Sequence, residues 1–290
     1  MGENWNEYRV GVVMRLKIDF FADKLPVIYR HRFMALIKEA LNESDSSYRE
    51  RLYPEKNSVH SKVAKPFCFN VSMPIQREMK KDKIIIDNGV EITNTVFIFK
   101  QYCKFSLYIS SSDFEFITNL YNGLLKIKEF KFNDEITLRF DKAFLLNEKK
   151  FEGAEVAFKT NAPILIEDKV GKPVLPVAPN PPPASSELQP TAYSLQHFNE
   201  HFNAIHDRIL KDIRGCGLHK EMEFVPLNVK KQVVKHTLRG FREKTGKPFM
   251  TLTCFEGCFK LKGDSRDLQM LYQIGVGLRT GQGFGMVDIV

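Results

Sequence analysis

Residues 265–290 read SRDLQMLYQIGVGLRTGQGFGMVDIV. Residues 265–274 carry apolar side chains at helical spacing, and residues 286–290 form a short apolar run suited to a strand. Between them lie Gly275, Gly277, Gly281, Gly283 and Gly285. A dinucleotide-binding fingerprint runs the other way, since its glycine loop follows a strand and opens a helix. The spacing G-x-G-x-x-x-G also departs from that fingerprint, and no GK[ST] follows. Gly275 suits a left-handed helix cap. The later glycines admit two readings, which the residues leave open: tight packing of the loop on the helix, or backbone N–H groups brought up to a phosphate.

Working back from this segment, residues 249–262 and 221–239 read as strands, and residues 193–214 as a helix stopped at Gly215. Ahead of them come a proline-rich loop, residues 172–190, and a strand over residues 156–167. The first half repeats the order. Residues 14–20 alternate as a half-buried strand, and Phe33, Leu36, Ile37, Ala40 and Leu41 mark a helix after Leu25-Pro26. A polar stretch covers residues 42–63, and strand-like runs follow at 66–73, 84–86 and 95–109. The spacing predicts a second helix over 113–128, with Ser110–Ser112 as cap candidates, then strands over 129–132 and 135–146. Each half is therefore β-α-β-β-α-β. The expected class is α+β, two tandem ferredoxin-like (RRM-like) domains over residues 14–150 and 151–290, with residues 1–13 as an extension. No strong internal sequence repeat supports the duplication, which rests on element order.

A chain of 290 residues has room for two such domains, and 43% hydrophobic with 12% aromatic content describes a folded protein. No run of 18 apolar residues occurs, and the first residues lack the order of a signal peptide. Five cysteines at irregular spacing suit reduced thiols. A cytoplasmic protein without membrane attachment is the expectation. The net charge is +8, and residues 211–262 hold twelve Lys or Arg against five Asp or Glu, a surplus of seven. Nearly the whole excess is thus one basic patch, which favours a polyanion such as nucleic acid.

The segment from Gly257 to Asp264, then Leu268–Tyr272, the Gly275-Val-Gly277 turn and Gly281-Gln-Gly283-Phe-Gly285-Met286 resemble a known C-terminal signature. It is that of the CRISPR-associated endoribonucleases that process precursor guide RNA, the Cas-six family of the RAMP superfamily. Residues 14–18, 25–37 and 161–166 are similar to the family's first strand, first helix and mid-chain strand. The resemblance implies two ferredoxin-like folds, a CRISPR repeat RNA as partner, and cleavage without metal or other cofactor. The ribose 2′-OH attacks the adjacent phosphate, leaving a 2′,3′-cyclic phosphate and a 5′-OH end. Since the nucleophile belongs to the substrate, the protein must orient it, move protons and stabilise charge.

Residues 59–69, VHSKVAKPFCF, resemble the family's histidine loop ahead of a K-x-F strand start. This implies His60 as general acid or base, a role for which imidazole is suited near neutrality. Lys65, or failing it Lys62, would face the phosphate. Many members carry a tyrosine in the first helix where this chain has Lys38, so Tyr29 and His31 at the helix start are further catalytic candidates. For RNA binding, Lys231, Lys235 and Arg239 lie four apart in a predicted strand, projecting from one face about 13 Å apart. Arg279, Gly281, Gly283 and Gly285 of the glycine loop complete the set. Further partners are other Cas proteins of an interference complex or a second copy of the chain.

Two other patterns compete. His197, Glu200 and His201 fit H-x-x-E-H, an inverted zinc-peptidase motif, yet no downstream acidic ligand stands out. Cys254 and Cys258 lack a second pair and read as ordinary thiols. The rival to the nuclease is a non-catalytic RAMP subunit that holds guide RNA. It would keep the glycine loop and basic face but need no histidine near a phosphate.

Overall fold

The computed structural model describes residues 14–54, 64–86, 89–100, 103–176 and 195–290. His60, Lys62, the 1–13 extension and most of the proline-rich loop lie outside the described residues. In the first half, β1 (Met14–Phe21) and β2 (Lys24–Pro26) lead into α1 (Arg30–Ser44) and α2 (Ser46–Leu52). Then come β3 (Phe67–Ser72), β4 (Arg77–Ile86), β5 (Val90–Phe99), β6 (Lys104–Ser111), α3 (Phe114–Lys126), β7 (Glu129–Lys131) and β8 (Thr137–Leu146). The second half holds β9 (Glu155–Thr160), α4 (Leu195–Arg214), β10 (Glu223–His236), α5 (Arg239–Thr245), β11 (Met250–Lys262), α6 (Ser265–Ile274) and β12 (Val287–Ile289).

Strand order identifies the fold. The first sheet runs β3-β6-β1-β8-β7 and the second β10-β11-β9-β12, each antiparallel throughout. In both, the first strand of the β-α-β-β-α-β series sits between the third and the fourth. That is the ferredoxin-like arrangement, present twice, as the element order predicts. The apolar faces of α1 and α3 cover the first sheet around Phe20, Phe33, Phe67, Phe105 and Leu120. Those of α4 and α6 cover the second around Phe158, Phe202, Phe224, Phe259 and Leu271. α1 and α3 approach so closely at Gly123 that a Cβ there would sit 1.8 Å from the Ala40 carbonyl oxygen. Any side chain at that position would push the two helices apart.

Four local expectations need correction. The stretch over 42–63 contains α2, a helix of seven residues that buries only Tyr48 and Leu52, started by Asp45 accepting the Tyr48 N–H at 2.9 Å. Residues 95–109 are not one strand: β5 ends at Phe99, and β6 begins at Lys104 in a different sheet. The cap of α3 is Asp113, which accepts the N–H groups of Glu115 and Phe116, rather than Ser110–Ser112. Lastly, β10 stops at His236, and Arg239 opens α5. The β4–β5 hairpin pairs with β2 as a third small sheet that the sequence pattern does not reveal. Among the described residues, no helix is long and apolar enough to cross a membrane.

The halves meet along a polar seam. Arg15 of β1 is buried, with its guanidinium 3.7 Å from the Tyr272 ring centroid. It donates to the carbonyls of Tyr272 at 3.0 Å and Val287 at 2.6 Å, on either side of the glycine loop. Cys68 of β3, Ala162 and Met286 fill the seam beside it.

Candidate active site

The glycine loop lies between the two halves and touches both. Toward the second half, Gly277 donates its N–H to His206 Nε2 at 2.8 Å, and Leu278 donates to the Leu165 carbonyl at 2.8 Å. Toward the first half, Arg30 Nε donates to the Gly283 carbonyl at 3.0 Å, and the Gly283 α-carbon faces the Phe69 ring. A Cβ on Gly283 would come within 2.8 Å of that ring, and φ is +86° there, so the position excludes ordinary side chains twice over. Gly281, Gly283 and Gly285 are buried. The amides of Gly283 and Gly285 already donate, to Thr280 O at 3.1 Å and Pro163 O at 2.9 Å. Close packing is the role these two glycines fill here.

Two histidines anchor the loop, both neutral. His206 lies fully buried on α4, and its Nδ1 bonds the Phe202 carbonyl at 2.7 Å. Because Nε2 must accept from Gly277, the ring proton sits on Nδ1. Burial pulls the His206 pKa down to about 4. His236, at the end of β10, bonds Gln282 Oε1 at 3.1 Å. Burial first, then the Arg30 charge, lowers it to about 3, with Arg279 and His31 adding to the effect. His31 therefore stands within electrostatic reach of the loop, half-buried on α1.

Lys65 enters β3 directly beneath Gly281, whose Cβ would lie 3.1 Å from that of Lys65. Its ammonium donates to the Leu52 carbonyl at the end of α2, one of the carbonyls a helix leaves unpaired. Burial, followed by the charge of Lys38, lowers the Lys65 pKa to about 8. Lys38 and Lys65 both face the ring of Tyr53, at 4.5 and 4.7 Å from its centroid. His31 and Lys38 are seven residues apart on α1, so they share one helix face about 10 Å apart along the axis. Thus α1 and the β3 entry bring Lys38 and Lys65 to the Tyr53 ring, while His31, about two turns away on α1, lies within electrostatic reach of His236. Tyr29, by contrast, is the α1 N-cap residue, with its ring edge-on to Phe33 at 5.9 Å and packed on the core.

The basic residues of β10 are arranged differently from the predicted row. Lys231 and Lys235 are exposed on one face of the strand. Lys235 stacks on Phe249 at 5.2 Å and reaches Asn94 of β5 at 3.5 Å, joining the two halves. Arg239 lies off the strand and bonds Glu243 at 2.7 Å within α5. Arg279, the one non-glycine residue with positive φ among those described, holds Gln282 Oε1 at 3.5 Å. Tyr53, Arg30, His236 and Gln282 were missed from sequence, because nothing in spacing or composition links them to the loop.

His197 and His201 face each other on α4 with ring centroids 4.5 Å apart, and Glu200 lies 3.8 Å from His197. The convergent His219, Asp264 and Asp267 would hold a metal by distance alone. Arg214, however, occupies an Asp267 oxygen at 2.6 Å, and His219 N–H takes the other at 2.7 Å. That carboxylate is an ion-pair hub already filled. Cys254 is buried, with its thiol pushed up to about 12, and Cys258 is half-buried; both are free.

Duplicated ferredoxin-like sheets thus meet at a glycine loop, with cations at the join. Residues 146–289 match the family model described as CRISPR associated protein Cas6, C-terminal. Across 282 residues the chain is 24% identical to CRISPR-associated endoribonuclease Cas6 1 of Methanocaldococcus jannaschii, covering 94% of this chain and 92% of that protein. Among solved structures, a RAMP protein binding different RNA substrates superposes with TM-score 0.64 at 19% identity, covering 96% of this chain and 99% of the other. A CRISPR associated protein Cas6 gives 0.63 at 21%, with the same coverage. A Cas6-related protein from Pyrococcus furiosus gives 0.61 at 18%, over 96% and 98%.

Proposed function

We propose that this protein is an endoribonuclease that cuts CRISPR repeat RNA in its precursor transcript. The observation that carries the reading is that Lys38 and Lys65 both approach the Tyr53 ring, at 4.5 and 4.7 Å from its centroid, with Lys65 beside Gly281 where the halves meet. A chain related to an endoribonuclease and carrying two lysines around one ring near its seam suits charge stabilisation on a phosphorane. The ribose 2′-OH adjoining the scissile phosphate is the nucleophile, and the products are a 2′,3′-cyclic phosphate and a 5′-OH end. His60 moves the proton, and His31 takes that role if His60 does not. Lys65, or failing it Lys62, faces the phosphate, with Lys38 as a second cation. The exposed Lys231 and Lys235 of β10, with Arg239 and Arg279, track the backbone of the bound strand. Cleavage proceeds without a metal ion. Residues 14–150 supply the catalytic side chains, and residues 151–290 the glycine loop and basic strand.

The test is incubation with repeat RNA in EDTA, alongside the same RNA with a 2′-deoxy nucleotide at the scissile position. Cleavage of the first substrate alone is expected. Loss of cleavage in EDTA sinks metal independence, and cleavage of the deoxy substrate sinks 2′-OH attack. Binding without any cleavage assigns the protein to the guide-holding subunits of an interference complex.

A further inference from the structure

α1 and α3 cover one face of the first sheet. On the opposite face the strand registers set four side chains in one row. Asn70 of β3 pairs with Tyr108 of β6, Tyr108 with Lys17 of β1, and Lys17 with Phe144 of β8. Residues directly opposite on neighbouring strands share a face, and the alternate residues Leu16, Ile18, Leu107 and Ile109 are buried on the helix side. Two strand spacings put Phe144 about 10 Å from Tyr108, with Lys17 between them. Phe144 is 39% exposed. Lys142 Nζ lies 5.1 Å and Lys17 Nζ 5.5 Å from its ring centroid. Lys17 also pairs with Asp19 at 3.4 Å, whereas Lys142 is exposed.

A single exposed ring needs no explanation. This one belongs to a row that ends at a polar cavity. Where the second half adjoins Tyr108, a cavity of about 280 Å³ is lined by Arg15, Asn70, Tyr108, Asn161 and Asp288, among others. Arg15 is 4% exposed, and its Nε–H is buried without a partner among the described residues. Two carboxamides, a phenol and a guanidinium offer both donors and acceptors, as the edge of a nucleobase requires. Asp288 lies 3.6 Å from Arg15 and 3.8 Å from Lys149. Its carboxylate in the cavity wall disfavours a phosphate there and suits a neutral base.

We propose that this open sheet face is a second RNA-binding surface, taking an unpaired segment with one base stacked on Phe144 and a neighbouring base edge held in the cavity at Arg15 and Asn161. Paired bases hide their faces and edges, so the ligand is single-stranded. Stacking on the ring is stronger than the exposed cation–π contacts it displaces, and the released lysines stay beside the phosphates of the bound strand. The site draws on β1, β3, β6 and β8 rather than on β10. That its RNA is CRISPR repeat RNA rests on the nuclease reading above; the stacking site itself does not.

The full chain is titrated with fluorescent single-stranded repeat RNA carrying a 2′-deoxy nucleotide at the scissile position, so that binding is read without cleavage. F144A should weaken binding about tenfold, and F144W should restore it. F144L keeps apolar area without a ring and should bind like F144A. A scan with one abasic nucleotide at a time gives a readout that a general loss of structure does not produce. At one position the missing base should weaken binding to native protein about tenfold and leave F144A unchanged; N161A should behave so at a neighbouring position. Native affinity in F144A, or full affinity in F144L, overturns the site. So does a scan in which no position is tied to Phe144. Cleavage assays on unmodified repeat RNA separate the two readings. Native protein that stacks RNA on Phe144 but cuts none keeps the surface and removes the nuclease. Native cleavage alongside undiminished binding by F144A removes the surface and keeps the nuclease.

Discussion

Arg30 donates its Nε–H to the carbonyl of Gly283 across 3.0 Å, pinning the glycine loop of the second half to the first helix of the chain. Its guanidinium also lies 5.0 Å from the Phe284 ring centroid. The contact is buried and charge-assisted, so Arg30→Ala should cost about 2 kcal/mol of stability. Arg30→Lys should recover little of it, because an ammonium lacks the planar donor geometry. Urea denaturation of both variants checks this. Unchanged midpoints would mean the loop is held elsewhere.

A second expectation concerns acid. His206 is neutral in the fold with a pKa near 4, whereas the unfolded group titrates near 6.5. Between these values the unfolded chain binds more protons, so stability is full above about 6.5 and falls as pH drops toward 4. The loss from this residue is on the order of 3 kcal/mol. His206→Phe should flatten that slope while costing about 1–3 kcal/mol at pH 7, since the Gly277 N–H loses its acceptor. Denaturation at pH 5 and pH 7 compares the two proteins. His236, also depressed, will keep part of the slope.

Lys65 should mark the alkaline side of activity. Its ammonium is charged below about 8 and increasingly neutral above, so repeat-RNA cleavage should decline as pH rises past that value. Lys65→Arg keeps its charge throughout and should move the decline upward. Lys65→Met should lose most activity at every pH. A native profile flat from pH 7 to 10 would remove Lys65 from the phosphate.

For the proton-transfer role, His60→Ala should leave RNA binding intact and slow cleavage by about a hundredfold or more. Should His60→Ala cut normally, His31→Ala is the variant in which that loss is expected. His31 shares a face of α1 with Lys38 and lies within electrostatic range of His236.

Binding should weaken with salt in proportion to the phosphates contacted. Replacing Lys231, exposed on β10, with Ala should lower the slope of log affinity against log salt by roughly 0.7 to 0.9. Lys235→Ala should do the same and also release β10 from Asn94 of the hairpin. An unchanged slope for Lys231→Ala would place the RNA on another face.

Much of the architecture is carried by local patterning. The alternation in β1, the helical stripes of α1, α3, α4 and α6, and the stop at Gly215, where φ is +81°, follow from periodicity and backbone sterics over a few residues. The order of those elements is enough for two ferredoxin-like units. Element boundaries set by weaker signals escaped. α2 and α5 are seven residues each and have little amphipathic contrast. The β4–β5 hairpin is joined to the fold through β5 pairing with β2, a partner some seventy residues away in the chain.

The candidate site divides along the same line. Lysines, histidines and glycines are visible in the sequence as residue types, and Lys38 and Lys65 could be nominated from it. That both ammoniums approach the Tyr53 ring, and that Arg30, His206 and His236 hold the glycine loop, could not be. Periodicity encodes which face of an element is buried, because that depends on residues a few positions apart. It carries no record of which side chains from α1, β3, α4 and the last loop converge. That is decided only when two sheets and their helices close on one another.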